Sequence, residues 1–192
     1  MIRVIKVIGG EFRGRTLVSV PGESTRPPLA RVRAAVANIL AGYTEGANVL
    51  DLFAGTGSYS IELISRGARS ATCIDKNPRA VETIRRNLAS LGIEDRVRLI
   101  TGDATRMIGL LEKSGYRYEI ILVAPPYFTE LDQKSMELLG NSPLVDPAGI
   151  VVLQQHRREK LEEKWGRLSL RKTYSYGDTK ISTYLPDLSD NA

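Results

Sequence analysis

Three aspartates stand where strand-like runs end: Asp51 after NVL, Asp75 after SATCI, and Asp103 in TGDA. Two glycines, Gly55 and Gly57, follow the first of them in VLDLFAGTGS, between an apolar run and a helical one. Glycine at both places permits positive φ and a close approach of ligand to backbone. The helix start beyond them offers free N–H groups to a negative ligand group. A dinucleotide fingerprint needs a third glycine three residues on. That position is Ser60, and no Lys-Ser/Thr pair follows the loop, so NAD and FAD lose ground and a P-loop is excluded. The Asp51 carboxylate would repel a pyrophosphate but suits a ligand with an ammonium group. S-adenosylmethionine (SAM), which carries an ammonium, a carboxylate and a sulfonium, matches. Asp75, 24 positions after Asp51, is placed to accept from ribose hydroxyls, and Asp103 from an adenine amine. Singly, each aspartate reads equally well as a strand end or a helix cap. Three at successive strand ends lie on the edge where open α/β sheets bind ligands. Phe53 in the glycine loop and Ala104 after Asp103 are counted with this cofactor site.

A fourth strand-like run, YEIILV, ends in Ala124-Pro125-Pro126-Tyr127. Neither proline has an N–H to donate, and each fixes its φ, so the loop is stiff and presents carbonyls. Amino-group methyltransferases carry an Asp/Asn/Ser-Pro-Pro-aromatic loop at this point. The exocyclic amine of a base is a poor nucleophile because its lone pair is delocalised into the ring. A side-chain oxygen and a proline carbonyl accept its two N–H bonds and aim the lone pair, while the aromatic stacks on a base taken out of its helix or loop. Pro125 and Pro126 are read as the stiffeners and Tyr127 as the stacking platform. The bland alternative is an ordinary proline strand stop.

These residues need a scaffold, and the sequence outlines one. From residue 47 strand-like and helical runs alternate: NVLDLF and SYSIELISRG, SATCID and PRAVETIRRNLASLG, RVRLIT and DATRMIGLLEKSG, YEIILVA and a helix near 130–139, GIVVLQQ and REKLEEKW. Such alternation predicts an α/β fold with a largely parallel sheet. RLSLRKTYSYG and TKISTYLP then predict an antiparallel hairpin at the sheet edge. Ahead of this core, residues 2–8 and 11–20 predict a hairpin around Gly9-Gly10. PGESTRPP (21–28) reads as a loop and LARVRAAVANIL (29–40) as a helix. The expectation is a single domain over 1–192, with an N-terminal extension over 1–44 and a SAM-binding core over 45–186. Asn87 and Tyr59 receive no ligand role.

With 192 residues, 42% of them hydrophobic, the chain has the size and composition of one soluble domain. No apolar run approaches the roughly 20 residues of a membrane span. MIRVIKVIGGEFRGR lacks the continuous apolar segment of a signal peptide. The one cysteine, Cys73, excludes an intrachain disulfide and reads as core, and the one histidine, His156, has no evident metal partners. A cytoplasmic protein without a metal is expected. Charge is uneven: residues 1–40 hold seven basic side chains (Arg3, Lys6, Arg13, Arg15, Arg26, Arg31 and Arg33) against Glu11 and Glu23. That segment accounts for the whole net charge of +5. Six of its seven cations are arginine, the side chain suited to phosphate forks, which points to a nucleic-acid partner.

Over nearly its whole length the chain resembles the bacterial 16S ribosomal RNA guanine-N2-methyltransferases of the RsmD type. The stretches that carry the resemblance are RVIKVIGGEFRGRTL, TRPPLARVRAAVANIL, VLDLFAGTGSYSIELISRGA, NLASLG and PPY. The glycine loop is common to many methyltransferases, whereas GGEFRGR and RP…RVR…NIL are more specific. The resemblance implies a class I Rossmann-like methyltransferase fold, with a mostly parallel seven-stranded sheet and an antiparallel last strand. It also implies methyl transfer from SAM to N2 of a guanine in 16S rRNA, with rRNA or the small subunit as partner and a monomeric chain. Arg13, Arg15, Arg26, Arg31 and Arg33 would belong to the RNA-facing or cofactor-covering part. The chain departs from the family in having Ala124 where an Asp or Asn is usual, Ala30 and Ala34 in place of acids, and LQQH where an acid is usual. Two other functions therefore stay open: a weak or inactive SAM- and rRNA-binding relative acting in ribosome assembly, and a methyltransferase for another amine acceptor.

Overall fold

Buried apolar strands and amphipathic helices alternate along the chain in the computed structural model, which describes residues 4–20 and 29–187. A small hairpin comes first, β1 (Val4–Lys6) and β2 (Thr16–Val18), then α1 (Ala30–Ile39) and α2 (Ala41–Thr44). The core follows as β3 (Asn48–Asp51), α3 (Ser58–Ser65), β4 (Ser70–Asp75), α4 (Pro78–Leu91), β5 (Val97–Thr101), α5 (Ala104–Glu112), β6 (Tyr118–Val123) and α6 (Leu131–Leu139). It ends with β7 (Val145–His156), β8 (Lys164–Trp165), β9 (Leu168–Tyr176) and β10 (Thr179–Pro186).

The main sheet has the order β5-β4-β3-β6-β7-β10-β9-β8. β3 to β7 run parallel, and β10 is antiparallel to both β7 and β9. This is the expected seven-stranded sheet with its reversed last strand, plus the two-residue β8 at the edge. Both faces are covered, as in doubly wound sheets. Val49, Ile120, Leu122 and Val152 enter one buried cluster, while their neighbours Leu50, Ile121, Val123 and Val151 enter the other. The chain turns from building one side of the sheet to the other between β3 and β6, and that switch opens a crevice at the strand C-termini.

The hairpin strands are shorter than expected. Residues 8–12 spend their backbone donors on α3 instead of a ladder: Ile8 and Gly9 donate to the Glu62 carboxylate, Glu11 to the Ser65 carbonyl, and Phe12 to Ser65 Oγ. Gly10 has φ +75, and a Cβ there would overlap the Ser65 carbonyl, so only glycine fits this contact.

The run REKLEEKW, expected as a helix, is a loop ending in β8. Its carbonyls are taken from outside. Lys180 Nζ donates to Glu159 O, Gln155 Nε2 to Lys160 O, Tyr184 Oη to Glu162 O and Leu170 N to Glu163 O. A helix would need those same carbonyls for its own i→i−4 bonds.

Candidate active site

At the crevice, the loop after β3 is pinned on both sides. Leu52 N donates to Leu122 O of β6 at 3.1 Å, and Ala54 N to Ile74 O of β4 at 2.9 Å. Gly57 starts α3 from the left-handed region (φ +73), and a Cβ there would press on Ile84. Gly55, at φ +56, faces open space, so its backbone can be approached closely.

Asp51 is 1% exposed. Its Oδ2 accepts from Ser60 Oγ at 2.9 Å. Its Oδ1 is buried with no hydrogen-bond partner among the described residues. Burial is the main cause that pushes its acid up to about 7, against the Ser60 and Phe53 hydrogen bonds. Ser60, which stands where a dinucleotide fold has glycine, thus serves the carboxylate. A buried, half-satisfied carboxylate is costly, and a cationic group at Oδ1 would relieve it.

Asp75 accepts from Gly55 N (2.8 Å) on one oxygen and Asn77 N (2.9 Å) on the other, which leaves further lone pairs. Asp103 is the N-cap of α5; its Oδ1 accepts from Thr105 Oγ1 and Arg106 N. The Thr105 hydrogen bond, first among several, holds its acid below the ordinary value. The cap and the acceptor reading are compatible, because a capping carboxylate keeps a second oxygen. Ala104 is buried behind it, and Phe53 packs half-buried on the second core cluster. Asp51, Phe53, Gly55, Gly57, Asp75, Asp103 and Ala104 therefore share the C-terminal edge of β3, β4 and β5. An orphaned carboxylate oxygen, an open glycine backbone and acceptors with spare lone pairs fit SAM.

The Ala124–Tyr127 loop lies on the same edge, at the end of β6. Ala124 is half-buried, Pro125 buried and Pro126 exposed. The Pro126 carbonyl accepts from Thr129 Oγ1 at 2.7 Å. Tyr127 Oη is hydrogen-bonded to Thr179 Oγ1 at 2.9 Å, at the start of β10. A cavity of about 10 Å³ adjoins Ala124, lined also by Val36, Tyr59, Val152 and Gln154. In it Tyr59 donates to Gln154 Oε1 at 2.6 Å. Tyr59, Gln154, His156 and Thr179 were not singled out for this site from the sequence; only the family contrast at LQQH touched on it.

The basic cluster divides. Arg31 is exposed at the start of α1, with its guanidinium over Gly177 in the β9–β10 turn, on the catalytic edge. Arg13 and Arg15 are exposed on the hairpin, and Arg15 Nη2 donates to Ser90 O near the far end of α4. Arg26 lies outside the described residues. Arg33 corrects the expectation of an RNA-facing group. It is 3% exposed, and its guanidinium donates to the Lys6 carbonyl at 2.8 Å. Its place is between α1, the hairpin and Glu62, and desolvation lowers its pKa. Asn87, given no role from sequence, is a structural tie. Its side chain bonds Val18 N and O and Thr56 O, joining the hairpin to the glycine loop. Cys73 is buried core, and burial raises its thiol pKa.

Sheet order, glycine loop and strand-end acids define a class I SAM-dependent methyltransferase. The chain belongs to the family described as Conserved hypothetical protein 95, whose model matches residues 5–185. Among its relatives, Ribosomal RNA small subunit methyltransferase D of Escherichia coli K12 is 34% identical over 149 residues, covering 77% of this chain and 73% of that protein. The Bacillus subtilis protein named "Putative rRNA methyltransferase YlbH" is 30% identical over 180 residues, covering 94% and 98%. A solved structure described as "Putative methyltransferase yhhF from Escherichia coli" superposes with a TM-score of 0.82 at 28% identity, covering 96% of this chain and 99% of its own.

Proposed function

We propose that this chain, a SAM-dependent methyltransferase acting on ribosomal RNA, transfers a methyl group to N2 of a guanine in small-subunit (16S) rRNA. The observation that carries this reading is the proline-stiffened loop Ala124–Tyr127, held on the same sheet edge as the half-satisfied Asp51 carboxylate. When bound, SAM supplies an electrophilic methyl carbon on a sulfonium. Asp51 would hold its ammonium, Asp75 its ribose hydroxyls and Asp103 its adenine amine, with the Gly55–Gly57 backbone against the methionine part.

The chain's own residues act on the guanine. The Pro125 carbonyl accepts one N2–H, because the Pro126 carbonyl is engaged by Thr129. The Tyr127 ring, fixed by Thr179, stacks on the extruded base. Methylation would leave N2 cationic, and its proton would pass to solvent water. At that moment the loop has carbonyls but no carboxylate at position 124. Gln154 borders the same small cavity as Ala124. Arg13, Arg15 and Arg31 contact RNA phosphates, Arg26 extends that set, and the chain works as a cytoplasmic monomer.

Ala124 also favours a second reading, a slow or binding-only relative acting in ribosome assembly. Methyl transfer from labelled SAM to unmethylated small subunits, with the labelled base identified after digestion, separates them. Label in N2-methylguanine supports the enzyme. No label from folded, SAM-binding protein supports the second reading, and label on a different amine supports another acceptor.

A further inference from the structure

Phe128, next to the motif, takes no part in the chemistry above. It is 67% exposed, more than any other large hydrophobic side chain among the described residues. Its φ of +61 puts it in the left-handed region, where bulky residues are rare and which tends to mark functional loops. One carboxylate anchors the backbone there: Glu159 accepts the Phe128 N–H on Oε1 at 2.6 Å and the His156 N–H on Oε2 at 2.5 Å. The clamp brings the loop after β6 against the end of β7. The Phe128 ring then lies 4.8 Å from the His156 ring and 6.5 Å from the Tyr127 ring. Tyr127 also meets His156 edge-on at 5.6 Å. Arg157 and Arg158 are exposed beside His156, and Arg31 lies over the neighbouring β9–β10 turn. Exposed apolar residues are individually ordinary. An exposed ring held in a strained backbone, beside two other rings and with Arg158 exposed near by and Arg157 ion-paired to Asp178 at 3.2 Å, has the character of a stacking platform for single-stranded RNA.

We infer that Phe128 and His156 form a binding site for a nucleobase of single-stranded RNA, namely a base flanking the one that Tyr127 receives. The flanking position rests on the proposed function; the stacking site itself does not. Stacking tolerates any base because each has a π face, and arginines beside it engage the phosphates. The site therefore grips the strand beside the extruded nucleotide without reading its sequence.

The test uses the full chain with a short single-stranded RNA. In the Phe128→Trp variant the introduced indole should be quenched on RNA binding, with the wild-type chain and its single Trp165 as the blank. Phe128→Ala should weaken binding about tenfold with SAM affinity and thermal midpoint unchanged, and Phe128→Tyr should restore it. Undiminished binding by Phe128→Ala, or no quenching of the indole, would overturn the inference and hand the patch to a protein partner. The two readings fail separately. Quenching without methylation of small subunits leaves this site standing and sinks the methyl-transfer reading. Methylation with an unchanged KM in Phe128→Ala does the reverse.

Discussion

Tyr59 donates to Gln154 Oε1 at 2.6 Å in the small cavity beside Ala124. This neutral pair borders position 124, where the family resemblance implies an Asp or Asn and this chain has alanine. Removing one preorganised polar contact to a transition state costs about 10²–10³ in rate. Ala124→Asp restores a carboxylate at the end of β6, next to the Gln154 amide. The variant should raise kcat for small subunits at least tenfold, with KM changed little. Steady-state methyl transfer measures both. An unchanged or lower kcat would mean that Gln154 and the loop carbonyls already do the work.

Much of this site could be read from local patterns. The strand ends at Asp51, Asp75, Asp103 and Ala124 follow from hydrophobic periodicity broken by glycine or proline, and they converge because parallel strands put their C-termini on one edge. Contacts made by the last strand could not be read in this way. His156 faces Thr179 only through the antiparallel register of β7 and β10, and that pairing brings Thr179 to Tyr127. REKLEEKW has the composition of a helix, but Lys180, Gln155, Tyr184 and Leu170 compete successfully for its carbonyls. Arg33 misled because a charge count does not register burial; the neighbouring Glu62 is sealed with it inside the hairpin contact.

Asp51 should make both stability and SAM affinity depend on pH. Burial lifts its acid from 3.8 to about 7. Between those values the native chain holds a proton that the unfolded chain has released, so stability falls as pH rises and levels off above about 7. Asp51→Asn removes this slope and should stabilise the SAM-free protein at higher pH, by up to on the order of 4 kcal/mol. The cofactor's ammonium prefers the ionised carboxylate, so SAM affinity in the wild type should rise with pH through about 7. It should be weak and flat in Asp51→Asn. Urea unfolding and SAM titration calorimetry across this range test both halves. A parallel stability slope in the two proteins would remove Asp51 as its source.

The divided arginine cluster predicts divided phenotypes. Arg15 lies near the far end of α4 from the capping residue Asn77, about 20 Å along the helix at 1.5 Å per residue. It can reach RNA only away from the methyl-transfer edge. Arg13→Ala and Arg15→Ala should each raise KM for subunits, leave kcat in place and reduce the salt dependence of RNA affinity by about one unit of slope. Arg33→Ala should leave the slope unchanged and lower the unfolding midpoint, because it vacates a buried tie to Lys6. Filter binding over a salt series beside thermal melts distinguishes the two classes. A reduced slope in Arg33→Ala would return it to the RNA surface.

Glu62 is the anchor of the hairpin and gives the sharpest stability prediction. It is 1% exposed, yet it is fully engaged. Ile8 N and Gly9 N donate to its two oxygens at 2.8 and 2.9 Å, and Arg66 Nε donates to Oε1 at 2.8 Å. It also offsets the buried charge of Arg33. Glu62→Ala strips the acceptor from two backbone amides and leaves Arg33 and Arg66 without their shared carboxylate. Breaking a buried ion pair from one side costs about 3–5 kcal/mol. Glu62→Gln keeps one oxygen acceptor and the volume, and should cost less. Because the contact joins the hairpin to α3, the Ile8 and Gly9 amides should exchange with solvent well before the sheet opens in Glu62→Gln, and RNA affinity should fall with them while SAM affinity holds. Hydrogen exchange and urea unfolding on both variants measure this. A loss under about 1 kcal/mol in Glu62→Ala, the size of a surface pair, would show that the hairpin is held by its apolar contacts and its ties to Ser65 and Asn87 instead.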